Sequence, residues 1–303
     1  MHTHPHPHPH GHDIPGSRVF ALGIALNLTF AIVELAAGGL VHSLALASDA
    51  VHNLGDVMAI AVAWGATRLA RQAPTPRRTY GMRRGTILAA LGNGVVLLLG
   101  VGALGWNALQ RLAHPQPVPG GVMAAVAGVG IVVNGTTALL FRGGRADVNV
   151  RAAFLHMLAD AAASAGVVAA GLVMMRTGAA WLDPSVSLAI CAVIALGTWR
   201  LLAEALELAM DVVPRGIAPE EVEAFLCAQP GIAAVHDLHI WAMSTTESAL
   251  TVHLVRPEGA TSDAELERLQ HELQRRFGIG HITIQTERGD ADGGCRQADR
   301  EVV

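Results

Sequence analysis

Charged side chains are scarce in this 303-residue sequence. They make up 15% of the residues, whereas a soluble globular protein carries about 25%. Lysine is absent, so all 21 basic residues are arginine. No charged side chain occurs from Thr86 to Leu109 or from Val118 to Phe141, and each stretch is longer than the ~20 residues with which a helix crosses a bilayer. The sequence therefore predicts an integral membrane protein.

Cysteine is also scarce, and the net charge is small. Cys191, Cys227 and Cys295 are widely spaced and odd in number. They form no disulfide framework and are typical of a chain whose soluble parts face a reducing cytosol. The formal net charge of −4 gives no reason to expect a nucleic-acid partner. The first dozen residues lack the charged start and apolar stretch of a signal peptide.

Apolar stretches predict six membrane spans. They lie near residues 18–40, 43–68, 86–110, 118–141, 150–175 and 180–209. The loop after the second span is rich in arginine, and so is the loop after the fourth, whereas each other loop holds at most one arginine. Because arginine-rich short loops stay in the cytoplasm, we expect both chain ends there. A composition rich in alanine, glycine and arginine indicates a GC-rich bacterial genome, and we expect the chain to lie in a bacterial inner membrane.

The composition changes beyond Pro214 to that of a soluble domain. Helices are predicted over 218–228 and 262–277, and alternating strands over 234–242, 248–255 and 280–287. This order predicts a small α+β domain with one sheet. The predicted domain organisation is a disordered tail over 1–16, a transmembrane domain over 17–213, a cytoplasmic domain over 214–288 and a disordered tail over 289–303.

Five ionisable side chains lie inside two of the predicted spans. The second span contains Asp49, His52 and Asp56, and the fifth contains His156 and Asp160. Each such side chain costs roughly 2.5–3.5 kcal/mol on insertion scales, so it needs a reason to be in lipid. Both spans carry the pattern His-x-x-x-Asp, and a spacing of four places the two side chains on one helix face.

The two patterns are predicted to meet at one metal ion. The spans run in opposite directions, and a rise of 1.5 Å per residue places Asp56 and Asp160 near the middle of the bilayer. Two imidazoles and two carboxylates form a ligand set that suits tetrahedral zinc. Asp49 is expected either to orient His52 or to serve as a structural acceptor. The alternative is two unrelated polar pairs, each hydrogen-bonded to a neighbouring helix.

Several segments together resemble the cation diffusion facilitator family of zinc exporters. They are HNLGD and HMLAD in the spans, TYGMRRGTILAAL entering the third span and HDLHIW in the soluble domain. Asn27, Phe30 and Glu34 in the first span and Asp183-Pro184 before the sixth match as well. The resemblance covers about residues 17–288.

This resemblance implies roles that the spacing alone does not give. It implies that His52, Asp56, His156 and Asp160 are the transport-site ligands. It also implies a homodimer that exchanges cytosolic metal for protons by alternating access, with a cytoplasmic ferredoxin-like domain. Many relatives have a glutamate entering the third span, where this sequence has Thr86. We expect the neighbouring Arg84 to be a cytoplasmic anchor, or else a partner of an acidic group.

Further histidines are candidates for metal binding. Six histidines alternate with other residues before residue 13, in an extended segment that we expect to capture metal loosely, unless it is an affinity tag. In the soluble domain, the resemblance implies a cytoplasmic metal site at His236, His253 and Glu287. Some relatives have a histidine in place of Gln285, so this site is expected to be weaker or incomplete here.

The sequence therefore predicts a divalent metal exporter, with zinc as the expected cargo and cadmium and cobalt as further ions that suit the ligands. We expect a proton-coupled secondary transporter rather than an enzyme. Two alternatives stay open. An intramembrane zinc-dependent hydrolase would need an open coordination position and a general base, and only Glu34 offers a third acid at the same depth. A membrane metal receptor would bind the ion without transporting it.

Overall fold

The computed structural model describes residues 17–141, 148–257 and 262–288. The predicted tails at 1–16 and 289–303 lie outside these residues, as does Cys295. The helices are α1 (Ser17–Val41), α2 (Leu44–Ala70), α3 (Gly85–Ala113), α4 (Gly120–Phe141), α5 (Val148–Thr177), α6 (Leu182–Ala209), α7 (Pro219–Cys227) and α8 (Asp263–Phe277). The strands are β1 (Ala234–Ala242), β2 (Ser248–Val255) and β3 (His281–Glu287).

Helices α1 to α6 occupy the six predicted spans. Five of them, all except α2, are long and apolar enough to cross a membrane. The 27 residues of α2 are also sufficient in length, but its ionisable residues and Asn53 lower its hydropathy. The predicted fold class, a membrane helix bundle followed by a small cytoplasmic α+β domain, is confirmed.

The chain divides into two compact units. The first contains the described residues up to Ile60 and those from Val96 to Thr198. The second contains Ala61–Val95 and the described residues from Trp199 onward. Because this division does not test the predicted domain boundaries, those boundaries stay a prediction.

Within the first unit, α4 and α5 pack with their backbones in contact. A Cβ atom added at Gly171 would lie 2.6 Å from the carbonyl oxygen of Gly120 and 3.0 Å from the Cβ of Ala124. Only glycine fits at such a distance, and close approach through small residues is a common way for helices to associate in lipid. The two helices therefore form a tightly packed pair.

The start of α2 is fixed by a carboxylate from α6. Asp183 is buried and accepts hydrogen bonds from the hydroxyl of Ser43 (2.5 Å) and the backbone N–H groups of Leu44 (2.8 Å) and Ala45 (3.2 Å). The first N–H groups of a helix have no partner within the helix, and a negative charge beside them is stabilising. Since α2 has no acidic residue in its own first turn, Asp183 supplies this charge.

The cytoplasmic domain contains a three-stranded sheet in the order β1-β2-β3. Strands β1 and β2 pair antiparallel, and β2 and β3 pair parallel, with α8 in the connection between them. The predicted order helix–strand–strand–helix–strand is thus found. A buried apolar cluster joins all these elements and includes Leu226, Leu250, Leu254, Leu273 and Ile279.

Within the second unit, the start of α3 contacts the turn between β1 and β2. The guanidinium of Arg83 lies 3.0 Å from the carboxylate of Glu247. The N–H of Thr245 donates to the hydroxyl of Thr86 over 3.1 Å. Thr86, where the resemblance implies a glutamate, therefore accepts a hydrogen bond from the cytoplasmic domain. Arg84 pairs with Asp211 over 2.6 Å, which agrees with the alternative that it meets an acidic group.

Helix α8 begins with a reciprocal cap. The hydroxyl of Ser262 accepts from the N–H of Glu265 (3.3 Å), and the carboxylate of Glu265 accepts from the N–H of Ser262 (2.9 Å). The backbone hydrogen bond from Ser262 and the guanidinium of Arg256 lower the pKa of Glu265 to about 2. At neutral pH the carboxylate is therefore ionised, as this cap requires.

We predict that Ser262→Ala destabilises α8 by ~1 kcal/mol, because the first turn loses its side-chain acceptor. Amide hydrogen exchange on the full-length protein would show exchange in α8 about fivefold faster. The exposed Glu267→Ala on the same helix is the control and should change little. Equal exchange in Ser262→Ala and the wild type would show that the cap does not limit the opening of α8.

Candidate metal centre

Helices α2 and α5 bring the four residues of the two His-x-x-x-Asp patterns together, all within the first unit. Between the helices, His156 Nε2 lies 3.0 Å from Asp56 Oδ2, and His52 Nε2 lies 3.4 Å from Asp160 Oδ1. Along each helix, the distance is 3.8 Å from His52 to Asp56 and 3.7 Å from His156 to Asp160. Each imidazole thus lies between two carboxylates.

The size of this cluster fits one tetrahedral ion. With metal–ligand bonds of 2.0–2.2 Å, neighbouring ligand atoms of a tetrahedral zinc ion lie roughly 3.4 Å apart. The four nitrogen–oxygen distances run from 3.0 to 3.8 Å. The rings of His52 and His156 meet edge to face, with 5.9 Å between their centroids. Asp56, His156 and Asp160 have ligand atoms within 4.8 Å of one another. His52 approaches both carboxylates but lies outside that group, so its side chain would have to shift to complete a four-ligand set around one ion.

Burial differs among the four side chains. The Asp160 side chain is only 4% exposed, whereas that of His156 is 42% exposed. Asp160 Oδ2 has no hydrogen-bond donor among the described residues. A buried carboxylate oxygen without a donor is costly in a low-dielectric surrounding, and a cation in the cluster would satisfy it. The centre is therefore closed on the side of Asp160 and open on the side of His156.

Asp49 lies one turn before His52 but hydrogen-bonds elsewhere. Its Oδ2 accepts from the hydroxyl of Ser164 over 3.2 Å. His52 Nδ1 is buried and has no hydrogen-bond partner in the described part of the chain. Asp49 is close enough to His52 to interact electrostatically. That Asp49 orients His52 stays a prediction.

Two buried polar residues near the centre were not singled out from the sequence. Asn53 lies next to His52 on α2, and Ser164 donates to Asp49; both are buried. Asn53 donates to Glu34 over 3.4 Å. Asn53 could have been noticed in the sequence, because it lies inside the same HNLGD segment as two of the proposed ligands. Neutral polar residues are common in membrane helices, so this signal is weak.

A second cluster lies on the cytoplasmic sheet. His236 on β1 pairs with His253 on β2, and their rings are 5.2 Å apart. Glu287 at the end of β3 reaches both, at 3.0 Å from His253 Nδ1 and 3.5 Å from His236 Nε2. The three residues have ligand atoms within 4.8 Å of one another. Gln285 stands at the position where the resemblance implies a further histidine. Its amide donates a hydrogen bond to the carboxylate of Glu287 over 3.0 Å and so helps to position it.

Asp237 also belongs to this cluster, although the sequence did not single it out. The register of β1 against β2 shifts between His236 and His239, and Asp237 has a left-handed backbone with φ of 51°. This bulge brings the Asp237 carboxylate to 2.9 Å from His239 and 3.5 Å from His253. The site thus has a second carboxylate on its edge.

Two family models match consecutive parts of the chain. Residues 20–208 match the family model for the cation efflux transmembrane domain, and residues 214–289 match that for the cation efflux protein cytoplasmic domain. These two matches cover nearly all of the described residues.

Three relatives are similar over most of their length. The metal cation efflux system protein CzcD of Cupriavidus metallidurans is 37% identical over 95% of this chain and 91% of its own. The zinc transporter ZitB of Escherichia coli is 33% identical over 94% and 92%. The cadmium, cobalt and zinc/H(+)-K(+) antiporter of Bacillus subtilis is 31% identical over 89% and 88%.

These relatives are named as transporters. The alternative that this protein is an intramembrane zinc-dependent hydrolase is therefore wrong. Because the matches span both the helices that carry the metal centre and the sheet that carries the second cluster, this chain belongs to the cation diffusion facilitator family of metal cation efflux transporters.

Proposed function

We propose that this protein exports Zn²⁺ from the cytosol in exchange for protons, and that His52, Asp56, His156 and Asp160 bind the ion during transport. The observation that carries the proposal is the alternation of imidazoles and carboxylates at 3.0–3.8 Å inside the membrane helices. Two carboxylates neutralise a divalent ion, which offsets most of the cost of placing its charge in lipid. The named zinc cargo of the Escherichia coli relative supports the choice of metal.

The ligand set favours zinc over harder ions. Imidazole suits zinc and its neighbours in the transition series, whereas magnesium and manganese prefer oxygen ligands. Cadmium and cobalt are proposed as further cargo, as in the name of the Bacillus subtilis relative. Selection among these three ions then depends on how closely α2 and α5 approach each other.

Proton exchange follows from the chemistry of the ligands. An imidazole must be neutral to bind a metal, so metal release and proton uptake compete at the same nitrogen. The ordinary pKa of histidine, about 6.5, lies close to the pH of the surroundings. We propose that the ion enters from the cytosol and that alternating access then exposes it to protons on the far side.

The arginine-rich loops support an orientation with both chain ends in the cytoplasm of a bacterial inner membrane. The cytoplasmic domain is proposed to join two copies into a homodimer, as the match to the family's cytoplasmic domain supports. We further propose that His236, His253 and Glu287 bind cytosolic zinc as a regulatory ligand. In this role, the zinc occupancy of the cytoplasmic domain would follow the cytosolic zinc concentration and influence the membrane helices.

Substitution of a proposed ligand tests the transport site. We predict that Asp160→Asn lowers zinc uptake into inside-out proteoliposomes by at least about tenfold. Substitution of a residue that only hydrogen-bonds to a metal ligand commonly lowers affinity or activity by that factor, and Asp160 is itself a proposed ligand. Glu204→Gln removes an exposed carboxylate that pairs with Arg215 and should leave uptake unchanged. Wild-type uptake by Asp160→Asn would contradict the assignment.

The driving ion can be tested separately in the same vesicles. Zinc uptake by the wild type should rise with an acid-inside pH gradient and collapse when a protonophore removes the gradient. A potassium gradient alone should not restore it. Restoration by potassium, or uptake that is insensitive to both gradients, would contradict proton exchange.

The cytoplasmic site can be tested by equilibrium binding to the full-length protein in detergent. We predict that His253→Ala lowers the zinc bound per protomer by about one ion, since one residue of the cluster is lost. The exposed His271→Ala on α8 retains the same tail and transport site, and should bind as the wild type does. Identical binding by the two variants would remove the cytoplasmic site from the proposal.

A further inference from the structure

Two carboxyl groups are buried side by side in the first unit, apart from the four proposed ligands. Glu34 on α1 is 0% exposed, and Asp49 on α2 is 1% exposed. Asp49 lies one turn before Asn53 on the same face of α2, and Asn53 donates to Glu34, so the two carboxyl groups are neighbours. Glu34 Oε2 accepts from Asn53 (3.4 Å), and Asp49 Oδ2 accepts from Ser164 (3.2 Å).

The remaining oxygen of each carboxyl group has no donor. Glu34 Oε1 and Asp49 Oδ1 are both buried without a hydrogen-bond partner in the described part of the chain. Between Arg18 and Arg68 the sequence offers no lysine or arginine that could neutralise the pair. The charged or titratable groups that act on Asp49 from α2 and α5 are His52 and Asp160, and α4 carries no charged residue.

A single proton would complete this arrangement. Two ionised carboxylates in contact repel each other strongly away from water, so such pairs hold one proton between them. A hydrogen on Glu34 Oε1 would be donated to Asp49 Oδ1, which satisfies both oxygens that lack a partner. With the donors from Asn53 and Ser164, the pair would then have a hydrogen bond at each of its four oxygens.

We propose that Glu34 carries a proton that it shares with Asp49, and that this pair is a proton-binding site of its own beside the metal centre. A divalent ion in the centre, one helical turn along α2 from Asp49, stabilises the ionised pair. The O–H bond of Glu34 then breaks, the proton leaves to water, and both carboxylates stay ionised. When the ion departs, the pair takes up a proton again. Part of the proton exchange in the proposed function therefore takes place at Glu34.

Infrared difference spectroscopy on the full-length protein in lipid tests the proton directly. Addition of zinc at neutral pH should remove the carbonyl band of one protonated carboxylic acid, and this band should shift in D₂O. In Glu34→Gln, the amide still donates to Asp49, but the zinc-induced loss of the band should be absent. The exposed Glu204→Gln is the matched control and should keep the loss.

Two results would overturn the proposal. One is a wild-type spectrum without the acid band, and the other is a Glu34→Gln spectrum that retains its loss on zinc binding. A band that appears only after potassium and sodium are replaced by choline would also overturn it, because the oxygens would then hold a monovalent cation instead of a proton.

Transport measurements test the role of the pair in coupling. Glu34→Gln cannot bind or release the proton, so the net zinc flux driven by a pH gradient should fall below that of the wild type. Exchange of labelled for unlabelled zinc at equal pH needs no net proton movement and should persist. Wild-type net flux, or the loss of both processes, would contradict the coupling role. If zinc uptake by the wild type does not respond to the pH gradient but the acid band is present, the proposed proton antiport is wrong. The proposal that Glu34 binds a proton would still hold.

Discussion

The structure depends on how negative charge is held in a medium that does not solvate it. Two aspartates in facing membrane helices would repel each other, and each would lack the water that normally stabilises it. Here each of them lies between two imidazoles, which can hold either protons or a shared metal ion. In the proposed function, one kind of positive charge replaces the other, so these four side chains stay compatible with the membrane whether they hold protons or a metal ion.

The sequence was sufficient to predict the six long helices, the sheet of the cytoplasmic domain and the meeting of α2 with α5, since each depends on a local pattern or a spacing. It did not single out Asp183 as the group that caps α2, because that contact joins residues 140 positions apart. Asp237 was also missed, since its position depends on a bulge in β1. The pairing of Glu34 with Asp49 likewise needs the packing of two helices, which the spacing of residues within one helix does not give.

The cytoplasmic domain and the start of α3 form a continuous set of contacts within their unit. Thr86 and Arg83 meet the turn that joins β1 to β2, and the ring of Tyr80 meets that of His281 at the start of β3, with 5.4 Å between centroids. Strands β2 and β3 also carry His253 and Glu287. A change in the spacing of these strands would therefore reach the beginning of a membrane helix through these three contacts.

The glycine contact between α4 and α5 limits how the metal centre can open. Because the two backbones touch at Gly120 and Gly171, we expect α4 and α5 to move together. On the proposed assignment, His156 and Asp160 lie on the helix that is packed against α4, whereas His52 and Asp56 lie on a helix whose first turn is bound by Asp183. We expect that separation of α5 from α2 would leave two ligands on each side of the ion, which are too few to retain it.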